Sequence, residues 1–338
     1  MEKELAALEA ELDSISIFAF IDSLVEAAEP NSSILLSAGY ANQVLTNGQD
    51  LGIEQFGINT SANYYHKSGV FGSYSGFYNS ETTPGYYLNI VGLGYIGTLG
   101  KSFTYNAGYE KSFFGGDSGT GLTNSLNASV SWNKKQFTAS LSYAFLFDGE
   151  SAHQVIPSLS YNIKVEKVGF IKSINILPTV SIFYANSNII TANFDEDFLK
   201  QVWLLEQFNI NGESRLLQAI RTIGFGGIGQ LNSAVSVEKN TLFNNLNQSI
   251  TIPVNLQLTD RLSLAVTYSY LISNDLVLGT VVRDEQRLAA FVTNFEDRFT
   301  RNSAQRFVDN LDRSIVFENS DNTNFLSISL SYFLQFQN

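Results

Sequence analysis

The residues of this chain that could do chemistry are few and scattered. It has two histidines, His66 and His153, and no cysteine. Thiolate nucleophiles and thiolate metal sites are therefore excluded, and a zinc site would have to join two histidines far apart in sequence. His66 stands two residues before Ser68, a base within reach of a hydroxyl. His153 follows Asp148 and Glu150 at the start of an expected strand and reads as a rim residue. Asp195-Glu196-Asp197 and Asp321 with its asparagine neighbours offer oxygen ligands, but without the spaced acids of a defined calcium loop, so they read as solvated acidic loop. The run Gly224-Phe225-Gly226-Gly227-Ile228-Gly229 follows a helical segment and contains no lysine. A phosphate cradle follows a strand and opens a helix, so this run reads as a hinge. No catalytic residue, metal or cofactor is expected.

The strands that would carry any site are far more legible. From Leu326 to Phe336 every second residue is large and apolar (Leu326, Ile328, Leu330, Tyr332, Leu334, Phe336), with Ser327, Ser329, Ser331 and Gln335 between them. The same stripe recurs from Leu262 to Ile272 and from Phe137 to Phe147. Such strands have one greasy and one small polar face. In a soluble sandwich the greasy face is the core; in a membrane barrel it meets lipid and the polar face lines the lumen.

Composition favours the barrel. Aromatics make up 13% of the chain, with 26 Phe and 16 Tyr, as lipid-facing girdles require. No apolar run of about 18 residues exists, so a transmembrane helix is excluded, while alternating strands average out in hydropathy and leave the mean at +0.00. A net charge of −12 argues against nucleic acid as a partner. Residues 1–30 form a separate region, an acidic amphipathic helix with Leu5, Leu8, Leu12 and Ile15 at helical spacing, eight acids against Lys3, and Pro30 as its stop. Met1-Glu2-Lys3-Glu4 is acidic where a signal peptide needs positive charge, which suggests a mature, exported chain.

Residues 31–338 are expected to form an all-β, antiparallel up-and-down barrel of about 12 strands, at 33–43, 55–66, 69–79, 87–97, 102–112, 122–133, 136–147, 153–165, 173–185, 247–258, 261–273 and 324–336. The even-to-odd links are short and the odd-to-even links mostly long, above all loops 186–246 and 274–323. Outer-membrane barrels sort their links this way, with short turns on the periplasmic side. Over about residues 33 to 338 the chain resembles Gram-negative outer-membrane β-barrels. In its aromatic, Asn-rich strands and in Leu8-Glu9-Ala10-Glu11-Leu12-Asp13-Ser14 it resembles those of the Bacteroidota. The resemblance implies an outer-membrane location, the lipid bilayer as surroundings, and a last strand, with Tyr332 and Phe336, that the barrel-assembly machinery reads during biogenesis. His66-x-Ser68 has the form of the His-x-Ser of outer-membrane phospholipases, but link parity puts it in a periplasmic turn, far from the outer leaflet where such a pair works.

The inner faces are expected to be neutral, with Asn127, Asn255 and Gln257 among small polar residues and Glu110 and Lys164 as their charges. No ring of one sign is visible, so charge selectivity is not expected. In loop 186–246, Phe198 and Val202 share a helix face; in loop 274–323, Leu288, Phe291, Phe295 and Phe299 form an apolar stripe. The two stripes are expected either to pack on each other as a cap or to dock a protein partner. Another contact is expected between the N-terminal segment, net −7, and Lys67, Lys101, Lys134, Lys135, Lys167 and Lys172 of the short turns. The function expected is a passive channel for small, mostly uncharged solutes, its entrance narrowed by the helical loops. The alternative is a non-conducting accessory barrel of a larger assembly, and a lipid-acting enzyme ranks third.

Overall fold

The structure is a computed structural model that describes residues 32–41, 57–79, 86–115, 122–186, 196–208, 229–240, 243–295, 298–317 and 322–336. The helix expected at 1–30, the stretch Leu8–Ser14, Asp195, Asp321 and Gly224 to Ile228 lie outside these residues.

Alternation dictates strands, and strands exposed to lipid must close, because hydrocarbon offers no partner to an unpaired backbone edge. The strands β1 (Ser33–Ala41), β2 (Gly57–Tyr65), β3 (Val70–Asn79), β4 (Tyr86–Leu99), β5 (Phe103–Phe114), β6 (Asn124–Lys134), β7 (Phe137–Asp148), β8 (Glu150–Tyr161), β11 (Thr179–Asn186), β13 (Phe243–Gln257), β14 (Leu262–Ser273) and β17 (Thr323–Gln335) form one antiparallel ring. It is sealed where β17 pairs with β1, from Ser33 opposite Gln335 to Ala41 opposite Ser327, and where β11 pairs with β13. These are the twelve strands the sequence predicts.

The sequence predicts single strands at 153–165 and 173–185; the structure breaks each in two. After Tyr161 the chain leaves the ring as β9 (Ile163–Val168), turns, and returns as β10 (Ile171–Ile176), which pairs with Ser173 to Ile176 opposite Gln257 to Val254. The break falls at Leu177-Pro178, opposite Pro253, which has no N–H to give and sits between the stretches of β13 that serve β10 and β11. The result is a two-stranded arm at the short-turn end.

Outward positions are apolar and exposed all round the ring, among them Leu36, Leu93, Val130, Leu141, Leu159, Val180, Ile250 and Leu330. A water-soluble barrel would bury them; here they face lipid. On β5, Phe103 (46% exposed) and Phe113 (52%) mark the two edges of this band. They are ten residues apart, about 33 Å along a strand, or about 25 Å along the axis at the usual tilt. Among the described residues no helix is long and apolar enough to cross a membrane. The chain is an outer-membrane β-barrel protein.

The links keep the expected asymmetry, with one exception: β7 and β8 are joined at the long-link end by Gly149 alone, at φ +76°. Gly69, in the turn between β2 and β3, has φ +93°, and a Cβ there would lie 2.3 Å from the carbonyl oxygen of Ile96, so only glycine fits.

Parts of the two long links, 191–242 and 275–318, form a second compact unit. The sequence reads these stretches as helical loops; the structure adds a three-stranded sheet of β12 (Val235–Lys239), β15 (Leu276–Arg283) and β16 (Ser314–Phe317). Its helices include α1 (Glu196–Phe208), α2 (Glu285–Thr293) and α3 (Arg298–Asp309). Asp284 caps α2 by accepting from the N–H groups of Gln286 and Arg287. The core of the unit includes Leu199, Trp203, Leu231, Leu288, Phe291 and Ile315, each at most 2% exposed.

Candidate functional site

Several wall strands turn small polar residues inward, and some of these pair across strands. Ser37 accepts from Ser331 at 3.1 Å, and Ser140 and Ser158 share a hydrogen bond at 2.6 Å. Ser160 and Thr179 do so at 2.9 Å, and Ser269 donates to Thr251 at 3.2 Å. Each pair is directly opposed in the strand register. Each contributes only about 0.5–1.5 kcal/mol, so the polar lining is not explained by stability alone. The hydroxyls of Ser129 and Ser131, on the same face of β6, are buried without a hydrogen-bond partner.

Glu110 and Asn127 come together on this face. The amide of Asn127 donates to Glu110 Oε2 at 2.9 Å and accepts from Ser125 at 2.6 Å. Room for the glutamate comes from Gly92 opposite it, where a Cβ would lie 3.2 Å from Glu110 Cγ and 2.3 Å from Ser73 Oγ. Among the described residues of the ring, Glu110 is the one inward-facing ionisable group away from the rims.

Lys164 is not in the lumen. It lies on β9, which pairs only with β10 outside the ring, where it is half exposed and 3.4 Å from Glu166. The reason is local: the chain peels away from the wall after Tyr161. Asn255 lies low on the inner face of β13, opposite Ala265 and Asn175, and Gln257 sits at the rim, bonding the carbonyl of Thr259. Tyr332 and Phe336 are exposed on the outer face near the short turns, and the Phe336 amide closes onto the carbonyl of Ser32 at 2.9 Å.

The remaining candidates have local roles. His66 Nδ1 accepts from the Ser68 amide at 3.2 Å and lies 2.7 Å from its hydroxyl, closing an exposed short turn. His153 Nδ1 lies 2.8 Å from the Tyr143 hydroxyl and its ring sits against Phe145, on the outer face near the long-link rim. In the second unit, Leu288 and Phe291 are buried and Phe295 packs edge-on against Phe291 at 5.4 Å. Trp203, five residues after Phe198 and next to Val202 on α1, is buried and donates to the Asp312 carbonyl at 3.2 Å, so the two long links pack on each other. Phe198 itself is 45% exposed, and the side chain of Phe299 falls outside the described residues.

One feature of the inner face goes against the neutral polar lining read from sequence. Towards the long-link end large apolar side chains also point inward, in two clusters: Phe77, Leu88 and Ile90, and Ile156, Phe183 and Phe325. Their signal in the sequence is a local loss of alternation, as in Ile182-Phe183-Tyr184 and Phe325-Leu326.

No family model and no curated protein matches this chain. Among solved structures it is similar to the KdgM porin in complex with disordered oligogalacturonate (8% identity, 89% of this chain and 98% of that one, TM-score 0.40). It is also similar to the NanC porin (10%, 88% and 98%, 0.41) and to LpxR from Salmonella typhimurium (7%, 89% and 100%, 0.41). These likenesses are loose, and the fold rests on the closed hydrogen-bonded ring of the chain itself.

Proposed function

We infer that the barrel is a passive channel for small, mostly uncharged solutes. One observation carries this reading: the cross-strand hydroxyl and amide lining, with a single inward carboxyl group away from the rims and no ladder of one sign among the described residues. Hydroxyls and amides can replace the water shell of a neutral polar solute, whereas charge selection needs rings of fixed charge. Twelve strands fall between the ~8 that side chains fill and the 16–18 of open porins, which suits a narrow path. The test is swelling of liposomes that hold the purified protein, in isotonic glycerol or a monosaccharide. Swelling above that of empty liposomes is expected, and its absence with correctly folded protein would refute the reading.

A second reading has its own observation. The inner apolar clusters could seal the lumen, leaving an accessory barrel that works through partners; in that case neither solute nor ion passes. The outward Tyr332 and Phe336 at the end of β17 support their reading as the signal that the assembly machinery recognises.

A further inference from the structure

Around the ring, β17 is separated from β11 by β14 and β13, and from β8 by one strand more. Hydrogen-bonded strands lie ~4.8 Å apart, so side chains three or four positions apart meet only by reaching across the lumen. Phe325 of β17 nevertheless belongs to one buried cluster with Phe183 of β11 and Ile156 of β8, exposed only 4%, 3% and 6%. All three point inward, since their strand neighbours Leu326, Val180 and Leu159 are exposed on the lipid side. Nothing in the membrane calls for this: an apolar residue gains lipid contact on the outer face and gives up a polar lining on the inner one. Phe77 and Leu88, also inward and near the same end, belong to a separate apolar cluster on β3 and β4.

We propose that Phe183 and Phe325, with Ile156, form an apolar collar that narrows the lumen near its long-link end and holds back hydrated ions while admitting small uncharged solutes. The physics is that of a hydrophobic constriction. An ion passing it must shed water with no polar group to replace it, while a neutral solute loses far less. The hydroxyl-lined stretch nearer the short turns then serves as the polar part of the path. This proposal rests on the channel reading and assigns its selectivity to named side chains.

The test compares wild type, the F183S/F325S double variant and the conservative F183L/F325L pair in planar bilayers for ion conductance and in liposomes for swelling in glycerol. The heat-dependent gel mobility of each variant serves as the check on folding. A severalfold rise in conductance for F183S/F325S, with F183L/F325L near wild type, is the expected result. Unchanged conductance in F183S/F325S, while wild type admits glycerol, overturns the collar and leaves the channel standing. Conductance in F183S/F325S from a wild type that passes nothing overturns the channel and the selective collar together, because the same side chains then close the lumen to neutral solutes as well. Silence from all three folded forms overturns both.

Discussion

At the scale of single residues, the pair Glu110 and Asn127 shows what the lumen demands of its side chains. Asn127 holds the carboxyl with one arm and Ser125 with the other. An Asn127→Leu substitution leaves a carboxyl in a confined space without its donor, a cost of about 1–3 kcal/mol. Glu110→Gln keeps an acceptor for the Asn127 amide and is expected to cost less than Asn127→Leu. Urea titration of both variants refolded into lipid vesicles measures the difference; equal losses would mean that the hydrogen bond is not what holds the site. Gly92 is a packing requirement of the same site, and Gly92→Val is expected to displace Glu110 and lower stability by about 1–3 kcal/mol in the same titration.

At the scale of elements, the two faces of a strand have different solvents, and one position decides which. Leu141 and Ser142 are neighbours in the middle of β7, the first exposed to lipid and the second on the inner face. Leu141→Arg is expected to cost about 2–4 kcal/mol at the bilayer midplane, and Ser142→Arg less, because the lumen can hydrate a guanidinium that hydrocarbon cannot. Equal costs in the refolding assay would mean that the outer face does not meet lipid. The second unit is a different kind of element. Its Trp203 is fully buried, and Trp203→Ala is expected to cost about 3–5 kcal/mol there. Because the chain has only two tryptophans, the fluorescence left in that variant comes from Trp132 on the barrel wall. Limited proteolysis of W203A should therefore cut within 191–242 or 275–318 while the barrel stays resistant.

What was legible follows the same division. Period-two alternation is enforced by a two-sided environment, so all twelve wall strands could be read from patterns such as Leu326 to Phe336. The arm of β9 and β10 could not, because Ile163 to Val168 continues the alternation of β8 after the chain has left the wall. Nor could β12, β15 and β16, of five, eight and four residues, whose pairing depends on segments far apart in sequence. Of the candidate lumen residues, Glu110 and Asn127 were placed by parity alone. Phe183 and Phe325 were not singled out, since a doubly apolar stretch of strand reads as noise until its neighbours across the ring are known.

At the scale of the whole molecule, the barrel answers to two requirements at once. The outer surface must be apolar and the backbone edges sealed, which the ring from β1 to β17 achieves. The inner surface is free of that constraint, so its hydroxyl pairs and apolar clusters are not dictated by the bilayer. The account predicts that solutes are sorted by charge before size. The most direct measurement is the swelling rate of liposomes containing the intact protein, in neutral solutes of increasing size and in salts of comparable size. Fast entry of the smallest neutral solutes with slow entry of the salts is the predicted result; entry of salts and neutral solutes at equal rates, or of neither, would contradict it.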